Sequence, residues 1–248
     1  MSAKSILFSR ILPELKAVAA YFDKAAIVRR VQELGLEIKP GTLPVYLAEA
    51  TASGIIHDAG RGWYSRLSEP GLLDPKPVEP VVKLLAKKFP LLDEFHCWST
   101  AQVNPWMHHL IAKGVTFVNT DADTMETVWE YLREADYDAH LNPTGKAKEQ
   151  FAVRDKTVVV RRRVSGAPVD GHFSRIETVL VDLLLESERL RLMDKSEFQQ
   201  MAEAAVKSGR ISVPDLMNYA ENRKQKWRRI FAQNTVNQRH LFLIGDVD

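Results

Sequence analysis

The chain of 248 residues is 45% hydrophobic and 27% charged, and its formal net charge is +2. These values are typical of a globular protein of one or two domains, and they exclude a disordered chain or a uniformly polycationic one. The single cysteine, Cys97, excludes an intramolecular disulfide and favours a reducing compartment. Because no window approaches 18 apolar residues and no signal-peptide core is present, we expect a cytoplasmic protein with no membrane partner.

The N-terminal part of the sequence has the element order of a small DNA-binding domain. Hydrophobic periodicity and capping signals predict three helices and then two short strands, at about 5–20, 24–34, 42–53, 55–58 and 63–67. Thr42 is the predicted N-cap of the third helix, and a Gly60-Arg61-Gly62 turn joins the two strands. This order predicts a winged helix-turn-helix over residues 1–70.

A proline-rich segment divides the sequence. Residues 68–80 contain four prolines and Gly71, which disfavour a helix or a central strand there. We therefore predict two separately folding domains, 1–70 and 72–248. The predicted strands of the second domain are 94–98, 115–119, 137–141, 150–154 and 157–164, and its predicted helices are 78–88, 101–112, 121–135, 174–193, 194–208 and 213–233.

The predicted fold class is α+β: a winged helix-turn-helix followed by a larger mixed α/β domain with a helical C-terminal third. The run at 176–185 is apolar on most sides, which indicates a central buried helix.

The second helix of a helix-turn-helix motif enters the major groove of DNA, and here that helix is 42–53. Leu43, Leu47 and Ala50 share one face, which we expect to be buried. The helix contains none of the usual base-reading residues Arg, Lys, Asn or Gln. Dimerisation or partner binding by the winged helix therefore stays an alternative to DNA binding. The predicted DNA-binding residues are Lys39, Thr42, Val45, Tyr46 and Arg61.

The stretch from Lys39 to Leu67 resembles the winged helix of AbiEi-family antitoxins, on the pattern formed by Gly54, Gly60, Arg61, Gly62, Trp63 and Tyr64. The C-W-S-T-A segment at 97–101 and the R-I-E-T-V-L-V-D-L-L segment at 175–184 are similar to that family's larger domain. The resemblance implies an antitoxin of a type IV toxin–antitoxin system. Such a protein represses its own operon through the winged helix, and it neutralises a co-encoded nucleotidyltransferase-like toxin, generally without a stable complex. A single winged helix reads few base pairs, so we expect two copies on an inverted repeat of the operator.

Charge is unevenly distributed in the second domain. Residues 71–145 carry six Lys and Arg against eleven Asp and Glu, whereas the ratios are eight to three in 146–175 and seven to two in 207–229. The two basic segments predict a surface for an anionic partner, which can be nucleic acid, a nucleotide or an acidic protein. A solvated charged face is the alternative. We expect Arg162 to face away from its neighbours. The predicted antitoxin surface is Arg161, Arg163, Arg223, Lys224, Lys226, Arg228 and Arg229.

No residue pattern indicates catalysis. Asp121 and Asp123 invite comparison with the carboxylates of nucleotidyltransferases, but Trp98-Ser99 stands in place of the required Gly-Ser turn. Both aspartates precede a predicted helix, where we expect them to cap it. We therefore predict no enzyme activity, no cofactor and no metal. The alternatives are a divergent nucleotidyltransferase or nuclease with a winged-helix targeting domain, and a transcription factor unrelated to any toxin. A degenerate nucleotidyltransferase-like fold also stays open for the antitoxin domain, 72–248.

Overall fold

A computed structural model of the protein describes residues 2–19, 21–60, 62–66, 73–107, 111, 113–207, 211–224 and 242–243. The backbone forms two compact units. The first consists of Met1–Gly71, Glu203–Met217 and Lys226–Asp248, and the second of Leu72–Ala202 and Asn218–Gln225. None of the described helices combines the length and the apolar character that a membrane span needs.

The first unit contains a winged helix-turn-helix, as predicted. Its elements are α1 (Ala3–Ile6), a π-helical turn (Leu7–Ile11), α2 (Leu12–Val18), β1 (Tyr21–Asp23), α3 (Lys24–Glu33), α4 (Thr42–Ala52), β2 (His57–Gly60) and β3 (Trp63–Ser65). Strand β3 lies between β1 and β2 and is antiparallel to both. The sequence prediction missed β1, which has only three residues and no alternation to reveal it.

The core of this unit forms where the three helical segments meet. Ile27 and Val31 from α3 pack with Leu43 and Leu47 from α4. Burial of the predicted α4 face, Leu43, Leu47 and Ala50, is confirmed. The predicted N-cap is wrong by one residue: Thr42 is the first helical residue, and Gly41 precedes it without a side-chain cap. A hydrogen bond from the Thr42 N–H to the Lys39 carbonyl already turns the chain before that point.

The first unit also takes in Glu203–Met217, which the sequence prediction placed in the second domain. One cause is a buried hydrogen bond in which the Ile211 N–H donates to the Tyr21 hydroxyl. A two-residue strand, Phe242–Leu243, also pairs in parallel with β1. Contacts between residues so far apart in sequence leave no local pattern, so proline content alone located only one junction between the units.

The second unit is built on a six-stranded mixed sheet. Its elements begin with α5 (Glu79–Lys88), β4 (His96–Ser99), a 3-10 helix (Thr100–Trp106), β5 (Thr116–Thr120), α6 (Met125–Glu134), β6 (Asp138–Leu141) and α7 (Gly145–Glu149). They continue with β7 (Thr157–Arg162), β8 (Val169–Asp170), β9 (Phe173–Ser174) and α8 (Ile176–Leu190). The strand order is β6-β7-β5-β4-β9-β8, and β5, β6 and β7 run parallel to one another. Helices α9 (Lys195–Lys207) and α10 (Val213–Asn222) follow in the chain.

The two faces of this sheet bury different sets of side chains. On one face, Cys97, Val118 and Val160 pack in an apolar cluster with residues of α5 and α6. On the other face, β4, β5 and β7 contribute His96, Asn119 and Arg161, which are aligned across the strands by register. These three side chains are buried, although they are polar or charged. The second face therefore needs hydrogen-bond and ion-pair partners.

Helix α8 supplies such partners. Every residue from Ile176 to Ser187 is buried, which confirms the predicted central helix. That stretch includes three carboxylates, Glu177, Asp182 and Glu186. Buried carboxylates require cationic or hydrogen-bonding partners, so α8 sets the positions of the arginines around it.

Several element predictions for the second unit were wrong. Residues 150–154 form no strand and follow the short helix α7. The predicted helix 101–112 is a 3-10 helix that contains Pro105 and ends at Trp106. Helix α10 ends at Asn222 rather than near 233, and Lys224 has a φ of 55° that no α-helix accommodates.

The expected capping of α6 by Asp121 and Asp123 is also wrong. Thr124 occupies the cap position, and no side chain caps that end. Asp121 instead accepts a hydrogen bond from Arg163 Nε at 3.2 Å. An ion pair formed across the sheet has thus displaced a local interaction that the sequence favoured.

Candidate functional site

The outer face of α4 is the first candidate site, and it lies within the winged helix. Val45 is 54% exposed, and the partly exposed Thr42, three residues before it, lies on the same side of the helix. The partly exposed Tyr46 flanks that side and packs against the edge of the core. Lys39 is exposed in the turn that leads into α4. The structure thus brings four of the predicted DNA-binding residues to one region. The fifth, Arg61, lies outside the described residues.

A lysine from a different helix neutralises the acidic residue on this surface. The Lys4 ammonium forms an ion pair with the Glu49 carboxylate of α4. Its Nζ also lies 5.8 Å from the centre of the Tyr46 ring. An uncompensated carboxylate on this surface would repel an anionic ligand, and the ion pair reduces that repulsion. Sequence reasoning did not identify Lys4, because nothing local links α1 to α4.

The second candidate site is a cleft of about 690 Å³ in the second unit. It lies at the carboxyl ends of the parallel strands, since most of its lining comes from residues that end or follow β5, β6 and β7, and the rest comes from α8 and the end of α10. This edge of a parallel sheet is where ligands commonly bind. Five guanidinium groups line the cleft: Arg161, Arg162, Arg163, Arg189 and Arg223. The remaining lining residues are Asp121, Ala122, Asn142, Val164 and Ser165.

Arg161 is held at the inner end of this cleft and is not a surface residue, which corrects the sequence prediction. Its Nη2 lies 2.5 Å from a carboxylate oxygen of Glu186, and its Nη1 lies 2.7 Å from Asn142 Oδ1. Its buried Nε has no hydrogen-bond partner among the described residues. The side chain therefore has a fixed orientation and one unused donor.

The other paired arginines are anchored in the same way. Arg189 donates to Glu186 at 3.1 Å, and Arg223 Nε lies 3.1 Å from Asp182 Oδ1. Arg163 contacts Asp121 and also pairs with Glu94. The carboxylates of α8 thus hold guanidinium groups from β7, α8 and the end of α10 beside one cleft.

Arg162 differs from these four residues. It is exposed and has no ion-pair partner within the described parts of the chain. We predicted that it would face away from Arg161 and Arg163, yet all three line the cleft. Strand alternation ends at Arg162, which is the last residue of β7, so the pattern does not extend to Arg163. At the end of a strand, residues from both faces can reach the same cavity.

Burial and the arginines shift two nearby ionisation equilibria. Burial raises the pKa of Asp182 to about 6, although Arg223 and a hydrogen bond from Tyr219 favour its charged form. Burial, with repulsion by Arg163 and Arg223, lowers the pKa of His96 to about 4. His96 is therefore neutral at physiological pH, and its Nδ1 lies 2.8 Å from the Ser174 hydroxyl oxygen.

Of the remaining predicted surface residues, Lys224 is in the described part of the chain, and it is not among the residues that line the cleft. Lys224 is exposed just beyond α10, whereas Lys226, Arg228 and Arg229 lie outside the described residues. Sequence reasoning missed Arg189, Asp182 and Glu186. A signal was present, because two carboxylates in the apolar run of α8 must have cationic partners once that helix is buried.

The fold and these two sites define an α+β protein with a winged helix-turn-helix and an arginine-lined cleft at the carboxyl edge of a mixed sheet. Residues 42–240 match a family described as "Family of unknown function (DUF6577)", so the chain belongs to that family. Comparison with curated protein sequences finds no significant match.

Proposed function

We propose that the protein binds duplex DNA through α4 and the β2–β3 hairpin, and that it represses transcription of its own operon. The observation that carries this proposal is the winged helix with an outward α4 face formed by Thr42, Val45 and Tyr46. The buried core residues of α4, Leu43, Leu47 and Ala50, lie on the opposite side of the helix, and Tyr46 packs against the edge of that core. The side that carries Val45 is therefore available to a groove.

The chemistry of that face favours contact with the DNA backbone and with thymine methyl groups. Val45 is apolar, and the hydroxyls of Thr42 and Tyr46 can donate to phosphate oxygens. Lys39 adds a cation, and Lys4 compensates Glu49. Sequence specificity then depends on these contacts, on DNA shape and on the arrangement of two copies on an inverted repeat.

The second part of the proposal is an antitoxin role. It is supported by the resemblance to AbiEi-family antitoxins, whose partner is a nucleotidyltransferase-like toxin encoded in the same operon. We propose no catalytic activity for this protein, because Asp121 is engaged by Arg163 and Asp123 is an exposed neighbour without a cap role. Neutralisation of the toxin then does not depend on turnover by this protein.

The DNA-binding proposal is tested with the full-length protein and fluorescently labelled duplex from the region upstream of its gene. We expect binding that weakens with salt, with a slope of log K against log salt of about −4.5 if roughly five phosphates are contacted. Lys39→Ala should make this slope about one unit shallower. A duplex of the same composition in shuffled order reports the non-specific background.

A matched pair of substitutions tests whether DNA binding depends on the α4 face rather than on another exposed surface of the winged helix. Val45→Glu places a carboxylate on the proposed DNA-binding face, and Val18→Glu makes the same change at a residue of α2 that is 46% exposed. We expect Val45→Glu to weaken operator binding at least about tenfold, equivalent to 1.4 kcal/mol, and Val18→Glu to have little effect. Equal affinities for the two variants would contradict the proposal.

The antitoxin role is tested by growth rescue during induced expression of the neighbouring gene. We expect wild-type protein to restore growth, and Val45→Glu to restore it equally while losing repression of a promoter reporter. Loss of both activities together in this folded variant would show that protection depends on DNA binding. That result would contradict the proposal that the first unit represses transcription and the second unit protects against the toxin.

A further inference from the structure

We propose that the arginine cleft of the second unit is a binding site for a phosphate monoester, which is carried either by a free mononucleotide or by the phosphorylated end of a nucleic-acid strand. This site is separate from the proposed DNA-binding face of α4. It is formed entirely by residues of the second unit.

The functional groups around the cleft suit an anion. Five guanidinium groups line it, and four carboxylates contact them: Glu94, Asp121, Asp182 and Glu186. Among these nine groups the arginines exceed the carboxylates by one, and Arg162 is the arginine without a carboxylate partner in the described part of the chain. Guanidinium groups are obligate donors with a planar fork that matches phosphate oxygens. A cation would be repelled from this site.

Three of the five arginines, Arg161, Arg189 and Arg223, are also preorganised by buried carboxylates. Glu186, whose side chain is only 2% exposed, fixes Arg161 and Arg189 from behind, and the equally buried Asp182 fixes Arg223. The guanidinium of Arg161 still has a donor that these contacts do not use, because its Nε is buried without a hydrogen-bond partner among the described residues. A bound phosphate oxygen would satisfy such a donor, and little side-chain entropy would be lost on binding.

The size and lining of the cleft indicate a ligand larger than inorganic phosphate. A volume of about 690 Å³ lies within the range of small-molecule sites and exceeds the needs of a single phosphate group. The lining residues that the structure describes include no aromatic side chain for base stacking. We therefore infer that the phosphate supplies most of the affinity and that the base contributes little discrimination.

The test uses full-length protein and isothermal titration calorimetry at low ionic strength. The probes are inorganic phosphate, AMP, UMP and adenosine, together with a short single-stranded oligonucleotide that carries either a 5′-phosphate or a 5′-hydroxyl. We expect AMP and UMP to bind with affinities within about threefold of each other and adenosine not to bind. Binding of AMP identifies a mononucleotide site, whereas preference for the phosphorylated oligonucleotide over both AMP and its hydroxyl form identifies a strand-end site.

Substitutions in the cleft test whether any observed binding takes place there. Arg162→Gln removes an exposed cation that has no ion-pair partner among the described residues, so it should leave the fold intact and weaken phosphate-dependent binding about tenfold or more. Arg162→Lys should recover part of that loss, because it keeps the charge but not the fork. Arg154→Gln is the matched control: Arg154 is an exposed arginine of the same unit that is not part of the cleft lining.

Three results would overturn the proposal. The first is that neither inorganic phosphate, AMP nor the phosphorylated oligonucleotide binds at concentrations up to about 10 mM. Any remaining affinity would then be too weak for a formed site. Another is equal binding of AMP and adenosine. The last is an equal effect of Arg162→Gln and Arg154→Gln, which would indicate general attraction to a basic surface.

Discussion

The guanidinium of Arg161 lies 2.5 Å from the carboxylate of Glu186, and the two side chains are 7% and 2% exposed. This ion pair joins the end of β7 to α8 at the inner end of the arginine cleft. Glu186 also binds Arg189, so one buried carboxylate orients two of the cleft's cations. The stability of the second unit and the geometry of its candidate site therefore depend on the same contact.

Loss of the Glu186 carboxylate should be strongly destabilising. Glu186→Gln leaves Arg161 as a buried cation with only amide and carbonyl partners, and we expect the free energy of unfolding to fall by about 3–5 kcal/mol. Replacing both partners by apolar residues, Arg161→Met with Glu186→Leu, should cost less than the sum of the single changes. Urea denaturation followed by circular dichroism measures all of these variants. Strictly additive effects would show that the pair is not energetically coupled.

Protonation of Asp182 should stabilise the folded protein. Its pKa is raised to about 6 in the folded state, and the ordinary value near 3.9 applies to the unfolded chain. Between these values the folded state binds more protons, so the stability contributed by protonated Asp182 is present at low pH and is lost as pH rises through about 6. We expect the stability of wild type relative to Asp182→Asn to decrease by on the order of 2–3 kcal/mol between pH 4 and pH 7. A difference that does not vary with pH would contradict this.

Protonation of His96 should have the opposite effect and destabilise the folded protein. Burial and the nearby arginines lower its folded-state pKa to about 4, while the unfolded chain titrates near 6.5. The unfolded state therefore binds more protons between these values, and this residue reduces stability as pH falls below about 6.5. An NMR titration of the histidine ring signals should place the His96 midpoint near 4. A midpoint above 6 would show that the ring is not buried as described.

The two sides of α4 should respond differently to truncation. Leu47 is fully buried in the core of the first unit, and Leu47→Ala should cost about 2–5 kcal/mol of stability through lost packing and a residual cavity. Val45→Ala, at an exposed position of the same helix, should change stability by less than about 0.5 kcal/mol. Thermal or urea denaturation of the full-length variants compares them directly. Comparable losses at the two positions would mean that α4 is buried on both sides.

The hydrogen bond from the Ile211 N–H to the Tyr21 hydroxyl should contribute to the stability of the first unit. Tyr21→Phe leaves a buried backbone donor without its partner, and we expect a loss of about 1–3 kcal/mol. Tyr46→Phe removes the hydroxyl of a partly exposed tyrosine and serves as the control, with an expected change below about 0.5 kcal/mol. A Tyr21→Phe protein as stable as wild type would indicate that water replaces the missing acceptor.

Local periodicity in the sequence was sufficient for the helices of the winged helix and for the buried character of α8. Leu43, Leu47 and Ala50 repeat at helical spacing, and the run at 176–185 is apolar on most sides, so burial could be inferred from composition and period alone. The same reasoning failed for β1, which is too short to show a period.

The contacts that create the candidate sites were decided by the tertiary structure. Arg161 reaches Glu186 and Asp121 reaches Arg163 only because strand order and register place their elements side by side. Charge attraction within the sequence cannot specify which of many cations pairs with a given carboxylate. Burial of α8 determines which residues pair, because a carboxylate removed from water is stable only beside the guanidinium that the fold brings to it.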